Sequence, residues 1–392
     1  MKPTPLLLSS VFAVALLSSI AAEPPRLSGV AASVEKHIQG EQVAGAVTAV
    51  VDRKGFLHLE AQGYANREAG TPMPTTGLFA IASMTKPITA VAVLRLQDEG
   101  KLKLDDLVET YLPEFAELKT PSGKPARLTL AQVLSHTSGL SEGRGPRADA
   151  AVTLADLIPL YLSEPTRFEP GSKWVYCQSG INTAARVVEV VSGLSFDAYL
   201  EKYLFAPLGM KDTTFYPNAE QRQRLVTPYK RDPATGTLAP APFRPGLDRR
   251  DRPPLANGGL YSTVHDYARF CRMLLNEGNL DGKRYLQTKT VRQMRTILTG
   301  DLVAGFLPGA PGHGWGVACG VVRTPQGVTA MLSPGSFGHG GAWGTQAWID
   351  PVKGIAYLLM VQRTNFPNSD ASDVRRDFQQ AAADAWVTTR KK

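Results

Sequence analysis

Two apolar stretches near the amino end predict neighbouring strands. Residues 44–52, Ala-Gly-Ala-Val-Thr-Ala-Val-Val-Asp, form an almost unbroken apolar run of the kind found in buried strands. Lys54 and Gly55 follow as a turn, so residues 56–63 are predicted to be the second strand of a hairpin. Residues 83–96 are again nearly all apolar, but over a length typical of a helix, and they predict a helix buried on most sides.

The rest of the chain divides into a helical middle and a strand-rich end. Helical periodicity dominates residues 128–212, with the clearest segments at 128–134, 154–162 and 181–191. The carboxyl-terminal part predicts a helix at 264–275, strands near 317–323, 328–332, 345–350 and 355–362, and an amphipathic helix at 372–388 with Ser372 as its N-cap. Strands at both ends with helices between them predict an antiparallel sheet built from the two termini, carrying a helical insertion.

A proline-rich segment separates these two parts. Residues 217–254 contain eight prolines and many charges, a composition that predicts a long surface loop or lid.

Composition bounds the class of protein. The 392 residues are 43% hydrophobic and 20% charged, as in a globular protein large enough for one or two domains. The formal net charge is +8, but the basic residues are scattered, and the clusters at 248–252 and 390–392 are short. A nucleic-acid-binding protein would gather its cations into a patch, so no nucleic-acid partner is expected.

The first 22 residues have the layout of a signal peptide. Lys2 provides a positive charge, residues 6–20 are apolar and uncharged, and small residues precede Glu23. An uncleaved anchor helix is the alternative, although the apolar run is slightly short for a bilayer. We therefore expect cleavage near Ala22, an exported protein in the periplasm or medium, and no membrane span afterwards.

Cysteine and histidine usage predicts neither a disulfide framework nor a metal site. The cysteines, Cys177, Cys271 and Cys319, are few, odd in number and far apart, which leaves at most one unassignable disulfide. The six histidines show no pairing at helical spacing. No cofactor is expected.

Candidate chemistry begins at Ser83 and Lys86. A serine that opens a buried helix lies at the positive end of the helix dipole, and its own N–H can serve as half of an oxyanion hole. Lys86 lies one turn further on the same face, where partial desolvation lowers the pKa of its amine toward that of a usable base. Ser33 and Lys36 have the same spacing but belong to a charged, evidently exposed helix, so context favours Ser83.

The chain resembles the serine β-lactamase-like and penicillin-binding-protein-like superfamily over nearly its whole length. The branch it resembles most is that of class C β-lactamases and family VIII carboxylesterases. The resemblance is carried, in order and spacing, by Ser83-Met84-Thr85-Lys86, Leu134-Ser135-His136-Thr137-Ser138-Gly139-Leu140, Phe168-Glu169-Pro170-Gly171-Ser172, Tyr176-Cys177-Gln178-Ser179-Gly180, Pro207-Leu208-Gly209-Met210, Gly258-Gly259-Leu260-Tyr261-Ser262-Thr263 and Phe337-Gly338-His339-Gly340-Gly341.

This resemblance implies a fold and its division into domains. The expected fold is of the α/β (α+β) type, an antiparallel sheet flanked by helices and built from both termini, with an inserted all-α domain. After the signal peptide at 1–22, the discontinuous α/β domain would span 23–112 and 255–392, and the helical insertion 113–254. The active site would lie in the cleft between them.

The resemblance also assigns roles to residues of the cleft. Tyr176 matches the tyrosine of the Tyr-x-Asn element, which relays protons between the nucleophile, the lysine and the leaving group. Gln178, or Ser179 if the register shifts by one, stands where the family has asparagine, and it would contact substrate. Cys177 between them is expected to be packed rather than reactive.

The Lys-Thr-Gly element of the family is matched by His339, Gly340 and Gly341, which would bind substrate. By that alignment Ala342 supplies the second oxyanion N–H beside that of Ser83, and Trp343 would line the acyl pocket. A lysine would offer a permanent charge to a substrate carboxylate, whereas a histidine is mostly neutral at pH 7, and Gly340 removes a hydroxyl donor. The two changes favour a neutral ester substrate.

Three functions remain open at this point. The first is a carboxylesterase that works through a Ser83 acyl-enzyme, and the second is a β-lactamase or DD-carboxypeptidase acting on carboxylate-bearing amides. The third is a catalytically idle sensor or binding protein that uses the same cleft. A Ser-His-Asp triad through His136 has little support because the chain lacks a Gly-x-Ser-x-Gly elbow, so His136 is expected to be structural.

Overall fold

The computed structural model describes residues 25–243, 249–305 and 312–390. The predicted signal peptide at 1–22 lies outside the described residues, so export of the protein stays a prediction. In the described part of the chain, no helix combines the length and apolar character needed to cross a bilayer.

The centre of the protein is an antiparallel sheet whose strands come from both ends of the chain. The strands, in chain order, are β1 Gly45–Asp52, β2 Phe56–Asn66, β3 Thr71–Pro72, β4 Phe79–Ala80, β5 Tyr229–Arg231, β6 Leu238–Pro240, β7 Tyr261–Ser262, β8 Asn279–Leu280, β9 Lys283–Arg284, β10 His313–Trp315, β11 Gly320–Val322, β12 Phe337–Gly340, β13 Gln346–Asp350 and β14 Ile355–Met360. Eight of them form one sheet in the order β10-β11-β12-β13-β14-β1-β2-β3. The amino-terminal hairpin therefore pairs directly with the last strand, β14.

The helices surround this sheet and fill the middle of the chain. They are α1 Val30–Gln39, α2 Thr85–Asp98, α3 Leu130–Leu134, α4 Pro146–Asp149, α5 Leu154–Tyr161, α6 Gln178–Ser192, α7 Phe196–Leu200, α8 Ala206–Leu208, α9 Ala219–Gln223, α10 Val264–Leu275, α11 Thr288–Met294 and α12 Asp373–Arg390. Helices α1 and α12 pack together on one side, and α10 packs against β1, β13 and β14.

Alternation of side chains explains why the central strands are apolar throughout. In β14, Ala356, Leu358 and Met360 join the larger core, which also contains residues of α10. Tyr357 and Leu359 point to the other side, into the core formed with α1 and α12. Because successive side chains of a strand point to opposite faces, covering both faces buries the whole strand. The expected fold class, with a sheet built from both termini, is confirmed.

Helix α2 is the buried helix that the sequence predicted. Every residue from Thr85 to Leu94, and also Leu96, is buried. It contacts α6 and α11 as well as β12, so it links the helical region to the sheet. A short 3₁₀ turn, Ala82–Met84, leads into its first residue. The first turn of α2 therefore lies where the two parts of the protein meet.

Predicted elements differ from the structure at two places. The strand expected near 328–332 is wrong, because residues Gly327–Thr329 form a 3₁₀ turn in which the Thr329 hydroxyl donates to the Gln326 carbonyl. The segment 217–254 is more ordered than a plain loop, since it contains α9 and the β5–β6 hairpin. Its residues 244–248 lie outside the described ones. The boundaries proposed for the two domains stay a prediction.

The backbones of β12 and β13 approach each other closely at Gly338. Gly338 of β12 pairs with Trp348 of β13. A Cβ on Gly338 would overlap the Ala347 carbonyl oxygen and lie 2.9 Å from the Trp348 Cα. Both obstacles are backbone atoms of the neighbouring strand, so they cannot rotate away.

Replacing Gly338 with alanine should therefore destabilise the protein. We expect a loss of about 1–3 kcal/mol in the free energy of unfolding, because the added methyl group overpacks the strand pair. Urea denaturation followed by circular dichroism would measure it. The control is Gly55→Ala, since a Cβ there meets nothing within 4 Å. Equal stability of the two variants would contradict this account of β12.

Candidate active site

Ser83 lies in the 3₁₀ turn before α2, at the edge of an open pocket. The preceding residue, Ala82, has a left-handed backbone with φ of 44°, which is uncommon for a residue other than glycine. Such backbone strain is frequent at functional sites. The Ser83 side chain is half-buried, whereas the next residue, Met84, is fully buried.

Lys86 reaches Ser83 from the first turn of α2. Its Nζ lies 3.0 Å from the Ser83 Oγ, and the whole side chain is buried. Burial lowers the pKa of Lys86 to about 7, because the charged form loses its hydration, and the nearby Glu142 carboxylate opposes this shift. At neutral pH a large fraction of this amine is therefore uncharged.

The partners of Lys86 orient the amine. Besides Ser83, its Nζ lies 2.8 Å from the Gln178 Oε1 and 2.5 Å from the Asn257 carbonyl oxygen. Both oxygens can only accept hydrogen bonds, so they take the two N–H groups of a neutral amine. The remaining lone pair then faces the Ser83 hydroxyl. In this arrangement the uncharged lysine is a proton acceptor aimed at the serine.

Tyr176 contacts the same hydroxyl from the segment before α6. Its phenolic oxygen lies 2.9 Å from the Ser83 Oγ, and its ring centroid lies 4.6 Å from the Lys86 Nζ. Burial raises the pKa of Tyr176 well above its ordinary value of 10. The phenol is therefore protonated at neutral pH and can donate its proton.

His339 lies on β12, and its side chain is next to that of Tyr176. Its Nδ1 lies 2.7 Å from the Gly340 carbonyl oxygen, which can only accept, so Nδ1 carries the hydrogen. Its Nε2 lies 3.3 Å from the Tyr176 hydroxyl. Burial and the positive charge of Lys86 lower the pKa of His339 to about 3. The imidazole is therefore neutral at pH 7.

Gly340 and Gly341 leave no room for side chains. A Cβ on Gly340 would overlap the Asp370 Oδ1, and a Cβ on Gly341 would lie 2.5 Å from the Ile81 carbonyl oxygen. The strand therefore passes close to the turn that carries Ser83, and the space beside Gly340 is filled by another residue of the chain.

The open pocket at Ser83 has a volume of about 440 Å³, within the range of small-molecule sites. Ser83 and the exposed Ala342, the two predicted oxyanion donors, both line it. The described residues that line it are Ser83, Tyr176, Gln178, His339, Gly340, Ala342, Thr364, Phe366, Pro367, Asn368, Ser369 and Asp370. Among them, none comes from the proline-rich segment 217–254.

Trp343 does not line this pocket, in contrast to the expectation from the sequence. It borders a separate small cavity together with Ala82 and residues 258–261. The chain turns after Ala342, where Gly344 N–H donates to the Gly341 carbonyl, so consecutive residues face different cavities.

His136 is held by the backbone rather than by Ser83. Its Nδ1 accepts a hydrogen bond from the Cys177 N–H at 3.1 Å, and its ring centroid lies 4.4 Å from that of Tyr176. Burial lowers the pKa of His136 well below 6.5. His136 packs against the Tyr176 ring. The sequence predicted a structural role for this histidine. Cys177 is buried, and so are the other two cysteines, which are all free thiols.

The other Ser-x-x-Lys copy makes ordinary structural contacts. The Ser33 hydroxyl donates to the Val30 carbonyl, and Lys36 forms a partly exposed ion pair with Asp377. The two Ser-x-x-Lys copies share the same spacing. They differ because Ser83 precedes the buried helix α2, whereas Ser33 lies within the partly exposed helix α1.

Comparison with known proteins shows the family of the chain. The family model described as Beta-lactamase matches residues 30–382. The chain belongs to the beta-lactamase family. The predicted site residues Ser83, Tyr176, Gln178 and His339 of this chain line one pocket.

Named relatives of this beta-lactamase-family chain differ in activity. Esterase EstB from Burkholderia gladioli is 30% identical over 357 residues, covering 83% of this chain and 88% of its own length. Penicillin-binding protein 4 from Amycolatopsis lactamdurans is 32% identical over 337 residues, with coverage of 83% and 81%. The solved structure of EstCE1, a hydrolase with promiscuous acyltransferase activity, has a TM-score of 0.76 at 22% identity, covering 90% of this chain and 97% of that one. The last similarity shows the fold alone.

Three residues of this beta-lactamase-family site were not predicted. Asn257 acts through its backbone carbonyl, although it directly precedes the Gly258-Gly259 stretch that carried the resemblance. Glu142 accepts hydrogen bonds from the backbone N–H groups of Gln178 and Ser179, and so caps α6. Asp370 reaches the pocket from the turn before α12, and no local sequence pattern singles it out.

The geometry predicts a specific pH dependence for the reactivity of Ser83. Labelling by a fluorophosphonate should rise about tenfold per pH unit in the acidic range and level off above pH 7, because only the uncharged Lys86 can accept the proton. The rate would be measured from pH 5 to 9 by fluorescence of the labelled protein. Lys86→Arg should abolish labelling, since a guanidinium stays protonated.

Lys36→Arg is the matched control and should leave this profile unchanged. A pH-independent rate in the wild type, or normal labelling of Lys86→Arg, would contradict the assignment of the base.

Proposed function

We propose that this protein hydrolyses carboxylic esters through a covalent acyl-enzyme on Ser83. The observation that carries the proposal is the position of one serine hydroxyl between an amine at 3.0 Å and a phenol at 2.9 Å. The amine is buried and the phenol is protonated, so the two groups supply a proton acceptor and a proton donor to the same oxygen.

Acylation begins when the Ser83 oxygen attacks the ester carbonyl carbon. The serine proton passes to the Lys86 amine, and a C–O bond forms to give a tetrahedral intermediate. The N–H groups of Ser83 and Ala342 stabilise its oxyanion. Collapse of the intermediate breaks the bond to the leaving alcohol, which takes a proton from Tyr176. The phenol regains its proton from Lys86.

Deacylation repeats these steps with water in place of the serine. The freed Lys86 and Tyr176 pair removes a proton from water, whose oxygen attacks the acyl carbon. The bond to the Ser83 oxygen then breaks, Ser83 takes the proton back from the pair, and the acid leaves. Gln178 keeps the amine in position throughout, since its Oε1 accepts from Lys86. No step requires a group beyond those of the chain.

The charges of the pocket favour an ester over a carboxylate-bearing amide. Among the described residues that line the pocket, none is an arginine or a lysine. The pKa of His339 is about 3, so this residue offers no positive charge at neutral pH. A β-lactam or a peptidoglycan stem carries a carboxylate that would remain unpaired here, at a cost in affinity. The relative EstB, an esterase by name, is consistent with this preference.

An ester panel tests the proposal most simply. We expect p-nitrophenyl esters of short acids to be hydrolysed with a much larger kcat/KM than a chromogenic cephalosporin. Ser83→Ala should lose activity by about 10³–10⁶-fold, whereas Ser33→Ala, which removes the hydroxyl of the other Ser-x-x-Lys copy, should keep it. Faster hydrolysis of the cephalosporin would favour a β-lactamase. A wild type that neither turns over ester nor labels at Ser83 would indicate an idle binding protein.

Tyr176→Phe isolates the proton donor. The substitution removes only the hydroxyl, and we expect kcat to fall by about 10²–10⁴-fold because general acid–base catalysis is lost. The loss should be smaller for p-nitrophenyl esters than for alkyl esters, since nitrophenolate needs less help to leave. Tyr64→Phe is the control, because that side chain is 44% exposed and outside the pocket. An equal loss for both leaving groups would argue against proton donation by Tyr176.

A further inference from the structure

Asp370 brings a carboxylate into the wall of the Ser83 pocket. It lies in the 3₁₀ turn Ser369–Ala371 that precedes α12, and it lines the pocket beside Gly340. Backbone hydrogen bonds fix this turn: the Asp370 carbonyl accepts from the Arg375 Nη1 at 2.6 Å, and the Asp370 N–H donates to the Asn368 Oδ1 at 3.0 Å. These bonds hold the backbone from which the Asp370 carboxylate projects.

The neighbours of the Asp370 carboxylate neutralise it only in part. Its Oδ1 is buried and has no hydrogen-bond partner among the described residues. The Arg375 Nη1 is 4.0 Å from it, and that guanidinium also lies 4.2 Å from the centroid of the Trp348 ring. Burial raises the pKa of Asp370, and the charge of Arg375, the Gln346 side chain and the charge of Lys86 oppose the rise. A buried acceptor without a donor is costly, and a bound group that supplies a positive charge or a donor recovers that cost.

The other described residues that line the pocket carry no charge that compensates this carboxylate. Asp370 is the one acidic side chain among the described lining residues, which include no arginine or lysine. The Lys86 amine is directed at Ser83, Gln178 and Asn257. Gly340 has no side chain that could donate to the carboxylate, since a Cβ there would overlap the Asp370 Oδ1.

We infer that Asp370 is a specificity residue that selects esters carrying a positively charged group and disfavours esters carrying a carboxylate. This inference rests on the proposed ester hydrolysis and adds the class of substrate. The positive group would lie against the Asp370 carboxylate while the ester carbonyl lies at Ser83.

Matched esters that differ only in charge test the inference. Three p-nitrophenyl esters of equal length serve for the acyl side: 4-(trimethylammonio)butyrate, the neutral 5,5-dimethylhexanoate and hydrogen glutarate. Butyrylthiocholine and S-(3,3-dimethylbutyl) thiobutyrate place the charge on the alcohol side. In the wild type we expect the cationic ester to exceed its neutral partner in at least one series, and the glutarate to be the poorest acyl substrate.

Asp370→Asn should reduce the cationic-to-neutral ratio of kcat/KM by about tenfold, the effect of removing one nearby charge at a partly screened site. The amide keeps the shape of the side chain, and the backbone bond to Arg375 remains. Asp370→Ser is the second variant in case the first is unstable, and thermal melting checks both. Asp373→Asn removes a 67% exposed carboxylate three residues away and should keep the wild-type ratio.

The outcomes separate the two claims. Absence of turnover for every ester, together with no labelling of Ser83, would reject the proposed hydrolysis. Active, folded Asp370 variants whose charge ratios equal those of the wild type in both series would overturn the role of Asp370 alone. A wild type that prefers the glutarate would do the same.

Discussion

The site depends on the burial of one amine against two carbonyl oxygens. Lys86 could not remain charged inside the protein without three good acceptors or a counterion. It has only two groups that can do nothing but accept, the Gln178 and Asn257 carbonyl oxygens, and its third contact is the Ser83 hydroxyl, which can donate to the neutral amine. Burial lowers the pKa of the amine to about 7, so the group that the fold desolvates is also the group that can accept a proton.

The three contacts of this amine come from distant parts of the chain. Ser83 belongs to the turn before α2, Gln178 begins α6, and Asn257 precedes β7. The lysine therefore ties the helical middle of the protein to the part that contains the sheet. Gly341 of the neighbouring segment lets the chain approach the Ser83 turn closely, at the Ile81 carbonyl. The geometry of the candidate site and the packing around it thus depend on the same contacts.

Much of this site was predictable, for physical reasons that differ between residues. Ser83 and Lys86 are one helical turn apart, so local geometry alone places them together once the helix is known to be buried. Tyr176 and His339 required the resemblance to a family, because tertiary packing brings them to the serine. Asn257 contributes a backbone atom and carries no signal in its side chain.

The failures follow from packing as well. Trp343 follows the predicted oxyanion residue Ala342, yet the turn closed at Gly344 directs it into another cavity. Residues 328–332 are apolar enough for a strand, but the capping contacts between Gln326 and Thr329 close a 3₁₀ turn instead. Asp370 is thirty residues beyond Gly340 in sequence and overlaps the space of its missing side chain. No local sequence pattern predicts a contact between residues so far apart in the chain.

The most direct test of the account is the ionisation of Lys86 itself. Protein labelled with ¹³C at the lysine Cε atoms would be titrated by NMR, with Lys86→Arg used to assign the signal. We expect a midpoint near pH 7, far below that of the exposed lysines. A midpoint near the ordinary value of 10.5 would show that the amine stays charged at neutral pH, and it would contradict the assignment of Lys86 as the base.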